Sequence, residues 1–179
     1  MPADPQDHVD RIQEQWRRER PDLNPAPQGV IGRLHRLGDR LRNELIAVYR
    51  EHGLGEGDFD VLASLRRTGA PFELPAGELA RHTMVTTGAM TKRIDRLEAA
   101  GLVTRRPDAS DGRGRRIALT ERGRELIDAA FTDHMANEQR LVGLLPEADR
   151  DTLARILKQW LVALDDDASA SDTASAASD

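Results

Sequence analysis

LARHTMVTTGAMTKRIDRLEAAGLVTRRPDASDGRGRRIALTERGREL, residues 79–126, is the stretch that decides the fold. Its opening, with Glu78, reads as a short helix, ELARHT (78–83), that turns Leu79 and Ala80 inward. Met84 and Val85 form a tight connection, and Thr86 or Thr87 then caps a second helix that reaches Ala100 and stops at Gly101. Met90, Ile94 and Leu97 recur in that helix at spacings of four and three, which is one buried face. Thr87, Thr91, Lys92, Asp95 and Arg96 fall on the other faces. LVTRR after Gly101 has extended character, PDASDGRG is a polar loop rich in turn formers, and RRIALT returns as a second strand. A short helix, a turn, a second helix and a two-stranded wing follow one another without interruption. Thr120 then caps a further helix carrying Leu126, Ile127, Ala130, Phe131 and Met135.

Working outward, DRIQEQWRRER (10–20) reads as a short polar helix bearing Trp16, punctuated by Pro21, Pro25 and Pro27. From Gly29 to Tyr49 the residues Val30, Leu34, Leu37, Leu41, Leu45 and Val48 make an apolar stripe on a long helix. Clustered glycines in EHGLGEGD end it, and Phe59 to Arg67 forms another short helix before the connector TGAPFELP. Pro75 sits where a first helical turn accepts it. The last helix, Glu147 to Leu164, presents Leu153, Ile156, Leu157, Trp160, Leu161 and Leu164. The expected class is mostly α (α+β), a winged helix-turn-helix at about 58–122 with long dimerisation helices at 29–50 and 121–164. Residues 1–28 form an N-terminal extension and 165–179 a disordered acidic tail.

Composition removes several functions. The chain of 179 residues has no cysteine, which excludes disulfides, thiolate nucleophiles and cysteine-ligated metal centres. The five histidines, at 8, 35, 52, 82 and 134, show no paired metal-ligand spacing, and no serine or lysine sits in a nucleophile motif. The expectation is therefore no enzyme, no metal and no cofactor. There is no long uninterrupted apolar run and no basic, then apolar, start, so a cytoplasmic protein without a membrane span is expected.

The net charge of -5 argues against nucleic acid only until its distribution is examined. The last fifteen residues hold five Asp and no base, which leaves residues 1–164 at zero. Residues 76–124 contain eleven Lys and Arg against six Asp and Glu. A basic module is embedded in an acidic chain. A helix-turn-helix places its second helix in a major groove about 12 Å wide, and Thr86, Thr87, Gly88 and Ala89 are small enough to let the backbone approach. Thr87, Thr91 and Lys92 are candidate groove or phosphate contacts, and Arg96 a phosphate contact at the groove edge. The wing adds Arg113, Arg115 and Arg116, with Arg113 at the tip placed for a narrow minor groove. A dimeric winged-helix interaction module that binds no DNA is the competing reading of the same pattern.

The quoted stretch resembles the winged helix-turn-helix of MarR-family transcriptional regulators, including a wing Asp-Gly-Arg, here Asp111-Gly112-Arg113, followed by Leu119-Thr120. The resemblance spans roughly residues 30–164. It implies a homodimer with interlocked terminal helices that binds double-stranded DNA, usually a repressor freed by a small ligand or an oxidant. The absence of cysteine sets aside the thiol-oxidation branch. It also implies that Asp111 orients Arg113. The apolar stripes at Val30–Val48 and Leu153–Leu164 exceed what a small winged domain needs internally, in keeping with an isologous interface.

A Trp on an added first helix, the run FDVL, and arginines in the recognition helix and after GLV resemble the urate-responsive branch and its relatives that answer to other anionic metabolites. That likeness implies a ligand set of Trp16, Asp60 and Arg105, with Arg93 linking the pocket to the recognition helix. Such a set suits a planar anion such as urate, because Arg offers a donor fork and Trp a stacking face. The plainer alternative makes Trp16 a filler at the dimer seam and Asp60–Arg93 a structural bridge.

Overall fold

The computed structural model describes residues 5–83, 87–107 and 114–176. The elements run α1 (His8–Glu19), α2 (Gln28–Glu51), α3 (Glu56–Arg67), β1 (Glu73–Pro75), α4 (Ala76–His82), α5 (Thr87–Ala99), β2 (Val103–Pro107), β3 (Arg115–Leu119), α6 (Glu121–Val142) and α7 (Glu147–Ala176). The chain divides into two compact units at His134–Met135, inside α6.

In the first unit, Val61, Leu62, Leu65, Leu79, Met90, Leu97, Ile117 and Ile127 are almost fully buried and bring α3, α4, α5, β3 and α6 onto one core. Burying each such side chain is worth about 1.5–3 kcal/mol. The expected face of the second helix is the observed one, since Met90, Ile94 and Leu97 all lie in this core. Gly101 ends α5 in the left-handed region at φ 71°, which lets the Leu102 N–H reach back to the Leu97 carbonyl at 2.9 Å. Thr120 caps α6, its Oγ1 accepting the Gly123 N–H at 2.9 Å. Tyr49 of α2 stacks on Phe59 of α3 with ring centroids 4.0 Å apart, and its hydroxyl lies 3.4 Å from His134 Nδ1 of α6.

The N-terminal extension is fastened to α2. Asp7 caps α1 in a capping box with Asp10, and both carboxylates receive the Arg33 guanidinium at 2.8 and 2.6 Å. Val9 is buried beside Gly32, and the Gln13 amide donates to the Pro25 carbonyl at 2.9 Å across the proline turn. These contacts explain how a helix that ends just before three prolines keeps a fixed seat.

Two features depart from the sequence reading. The wing is three-stranded, in the order β1-β3-β2, because Glu73–Pro75, read above as connector, pairs antiparallel with β3 in the register Leu74↔Ile117. Three residues ending in proline are too short to show a strand period. The last helix does not stop at Leu164 but continues to Ala176 through the segment expected to be disordered. Ala168, Ala170, Ala174 and Ala176 are strong helix formers, and neither Gly nor Pro follows Pro146.

The second unit, α7 with the end of α6, presents Leu144, Leu153, Ile156, Leu161, Val162 and Leu164 to solvent, Leu144 with 78% and Leu161 with 62% of its surface exposed. Val30, Ile31 and Leu37 of α2 are exposed as well. Exposed apolar side chains in such number mark surfaces that another protein covers. No described helix is long and apolar enough to cross a membrane.

Candidate nucleic-acid interface

Residues step about 100° around an α-helix, so α5 presents four distinct strips. Met90, Ile94 and Leu97 face the core. Thr91 and Lys92 are exposed away from it. Arg93 and Arg96, three apart, lie on the flank toward α3, and Asp95 and Glu98, also three apart, lie on the flank toward β2.

On the α3 side, Arg96 closes on Asp58, its Nη2 donating to Oδ1 at 2.5 Å and its Nε lying 3.2 Å from both carboxylate oxygens. Asp58 is buried in the first turn of α3, where Oδ2 also accepts the Gly55 N–H at 3.2 Å. The bond from Asp58 raises the Arg96 pKa above its usual range. One turn away the Arg93 guanidinium lies directly over Gly57, a position that a β-carbon would occupy. Asp60 stands half-buried nearby. Burial, then the Glu56 charge, raise its carboxyl pKa, with Arg93 and Arg67 acting in the opposite direction.

On the β2 side, the Arg105 guanidinium is shared between Asp95 and Glu98, and its backbone N–H also donates to Glu98 Oε1 at 3.1 Å. Burial works against the Arg105 charge, but the two carboxylates outweigh it and raise the pKa. Within the sheet, Arg116 donates to Glu73 Oε1 at 2.8 Å and Arg106 lies 3.7 Å from the same carboxylate, so β1 is tied to both other strands. Arg115 is exposed.

The residues singled out in the sequence therefore fall into groups. Thr91, Lys92 and Arg115 face outward, and Thr87 opens α5. Arg96 and Arg116 are engaged by Asp58 and Glu73. Thr86, Asp111 and Arg113 lie outside the described residues. Of the ligand set, Asp60 and Arg93 are brought together as electrostatic neighbours. Arg105 is on the opposite flank of α5, with the helix standing between it and Arg93. Trp16 sits on α1, about half exposed beside Gln15, Arg18 and Glu19. The four are not gathered into one pocket within a chain, because Arg93 leaves α5 on the α3 side while Arg105 reaches α5 from the β2 side. Sequence reasoning missed Asp58, Asp95, Glu98 and Glu73 as partners. The alternation of basic and acidic pairs three apart on α5 carried the signal for two of them, Asp95 and Glu98. Among the described residues no cluster of His, Asp and Glu has the arrangement of a metal site.

A recognition helix seated on a helical core, with an exposed outer strip carrying Lys92 and a β-wing at its C-terminal side, defines a winged helix-turn-helix DNA-binding protein. A sequence model of the MarR family matches residues 52–114. The HTH-type transcriptional regulator PecS of Dickeya dadantii (strain 3937) is 36% identical over 149 residues, covering 83% of this chain and 90% of that protein. The HTH-type transcriptional repressor Rv2887 of Mycobacterium tuberculosis (strain ATCC 25618 / H37Rv) is 34% identical over 134 residues, covering 75% of this chain and 93% of that one. Among solved structures, AbsC, a MarR family transcriptional regulator from Streptomyces coelicolor, superposes with a TM-score of 0.65 at 30% identity, over 74% of this chain and 90% of that chain. The chain belongs to the MarR family: it is a DNA-binding transcriptional regulator of the ligand-responsive type and not an enzyme.

Proposed function

We propose that the protein acts in the cytoplasm as a homodimeric repressor of a pseudo-palindromic operator, released by a small anionic metabolite of the urate kind. The observation that carries the DNA part is the outer strip of α5, where Thr91 and Lys92 are exposed while the opposite face is locked into the core. Thr86 and Thr87 lead the helix into the major groove, Lys92 and Arg115 meet phosphates, and Arg113, steered by Asp111, enters the minor groove. Burial of the exposed apolar residues of α2 and α7 against a second copy makes the dimer, and its two-fold axis sets the symmetry of the site. The relative from M. tuberculosis, named as a repressor, supports that sign of regulation.

The sensing part rests on Asp60 and Arg93. A carboxyl held half-buried beside the guanidinium of the recognition helix couples the charge state near α3 to the position of α5. An anion that takes Arg93 repels Asp60 and weakens the attraction between them, and Trp16 offers the face on which a planar anion stacks. Arg105 stands on the far flank of α5 from Arg93.

Fluorescence anisotropy with the DNA upstream of the protein's own gene, repeated with urate, xanthine, citrate and trans-aconitate, tests both parts. Sequence-selective binding that one of these anions weakens is expected. Equal affinity for scrambled DNA overturns the DNA reading, and selective binding that none of the four anions moves overturns the anion reading.

A further inference from the structure

We propose that Arg96 and Arg105 are positioning residues that fix the roll of the recognition helix from its two flanks, Arg96 against Asp58 of α3 and Arg105 against Asp95 and Glu98 of α5 itself. The proposal rests on the DNA-binding reading and assigns these two arginines neither to phosphate nor to the metabolite.

The core contacts of α5 leave a degree of freedom that something else must remove. Met90, Ile94 and Leu97 are held by apolar contact, which is non-directional and tolerates small rotations about the helix axis. A roll of about 10° moves an atom on the outer surface, about 5–6 Å from the axis, by about 1 Å. That displacement is enough to spoil hydrogen bonds to base edges. Directional bonds on opposite flanks resist the roll in both senses, and this is the arrangement present. Arg96 grips α3 with two donors, and Arg105 grips the other flank with its guanidinium and its main-chain N–H.

Burial argues that Arg96 stays where it is. Asp58 keeps only 10% of its side chain exposed, so an Arg96 that left for a phosphate would strand a buried carboxylate with the Gly55 N–H as its remaining donor among the described residues. Arg105, 27% exposed, would leave Asp95 and Glu98 facing each other one turn apart. Because Arg105 lies on β2, which leads into the wing loop, the same contact joins helix and wing into one rigid reading head.

The test compares binding of full-length protein to the duplex that wild type selects from random-sequence DNA and to a random duplex, each across a salt series. Asp58→Asn keeps an acceptor for the α3 cap while weakening the ion pair, so it separates the two roles of Arg96. As a strut, Arg96 gives the same result whichever partner is altered: Asp58→Asn, Arg96→Ala and the double variant all lose affinity for the selected duplex, by about tenfold, with no further loss in the double. Arg105→Ala loses a similar factor. Affinity for random DNA and the salt slope stay at wild-type values. If instead Asp58→Asn preserves or tightens operator binding while Arg96→Ala weakens both duplexes and lowers the salt slope by about one, Arg96 is a phosphate contact and its assignment as a strut is overturned. An Arg105→Ala protein with wild-type affinity for the selected duplex overturns the second assignment. Arg96→Lys and Arg105→Lys serve where an alanine variant fails to fold, since lysine keeps the charge but loses the fork: a strut loses selectivity with lysine, a phosphate contact keeps it. Should wild type select no sequence at all, the DNA-binding reading itself falls, a result distinct from either failure above.

Discussion

The same substitution at two glycines, one buried and one half-buried, should move stability in opposite directions. At Gly123, in the first turn of α6, an added β-carbon meets main chain: it overlaps the Leu102 carbonyl and comes within 3.2 Å of Leu102 Cα. That close approach is fixed by the Thr120 N–H donating to the same carbonyl at 3.1 Å and by the Thr120 hydroxyl donating to the Gly101 carbonyl at 2.8 Å. Neither the α6 cap nor the turn after α5 can yield without breaking these bonds, so Gly123→Ala carries an overpacking cost of about 3 kcal/mol. The gain in helix propensity offsets about 1 kcal/mol of it, leaving a net loss of about 2 kcal/mol and a fall in Tm of roughly 4–8 °C for a chain of this size. At Gly57 the nominal clash is just as severe, but the obstructing group is the end of the Arg93 side chain, which swings away. Gly57→Ala should therefore be neutral or up to about 1 kcal/mol more stable, while evicting Arg93 from its seat. Thermal unfolding by circular dichroism at one fixed protein concentration measures both. Gly123→Ala unfolding at or above the wild-type temperature, or Gly57→Ala falling as far as Gly123→Ala, would refute the distinction between main-chain and side-chain obstruction.

Asp60 supplies a test with a definite sign. Its carboxyl pKa is raised in the fold, so the stability linked to its protonated form is fully present below the ordinary aspartate range and is lost as pH rises through the folded-state value. Asp60→Asn should consequently be at least as stable as wild type at neutral pH, with any advantage fading toward acid in urea titrations; a variant weaker at neutral pH and equal in acid contradicts this. Lys92→Ala should weaken binding to all DNA sequences alike and reduce the salt slope by about one, and an unchanged slope would remove Lys92 from the phosphate contacts. Ile156→Glu with Leu161→Glu should shift sedimentation from dimer to monomer or unfolded chain, because both side chains are exposed in the single chain; an intact dimer would place the interface elsewhere.

Much of this architecture can be read from local pattern. Met90, Ile94 and Leu97 announce the inner face of α5, Gly101 its end and Thr120 the start of α6, because each signal acts within a few residues. The strand β1 leaves no such trace, since it exists through pairing with β3 across more than forty intervening residues and is too short to alternate. The C-terminal helix was hidden by its aspartates, which suggest solvation but do not break a helix that alanine supports. At the site, residue type alone marks Arg96, Arg105 and Arg116 as cations available to a ligand. Their partners Asp58, Asp95, Glu98 and Glu73 emerge once helix and sheet bring the charges together, and Arg93 and Arg105, twelve apart in sequence, prove to lie on opposite flanks of α5. Lys92 survives this step because no hydrogen bond or ion pair from the described residues engages it.

Titration of the protein against two labelled duplexes, one bearing both halves of its selected pseudo-palindrome and one with a single half scrambled, tests the central claim most directly. The account predicts one dimer per intact duplex, protection of about 20 base pairs related by a two-fold axis with recognition helices about 34 Å apart, and markedly weaker binding when either half is scrambled. Equal affinity for the two duplexes, or saturation by one monomer on a single half, would contradict it.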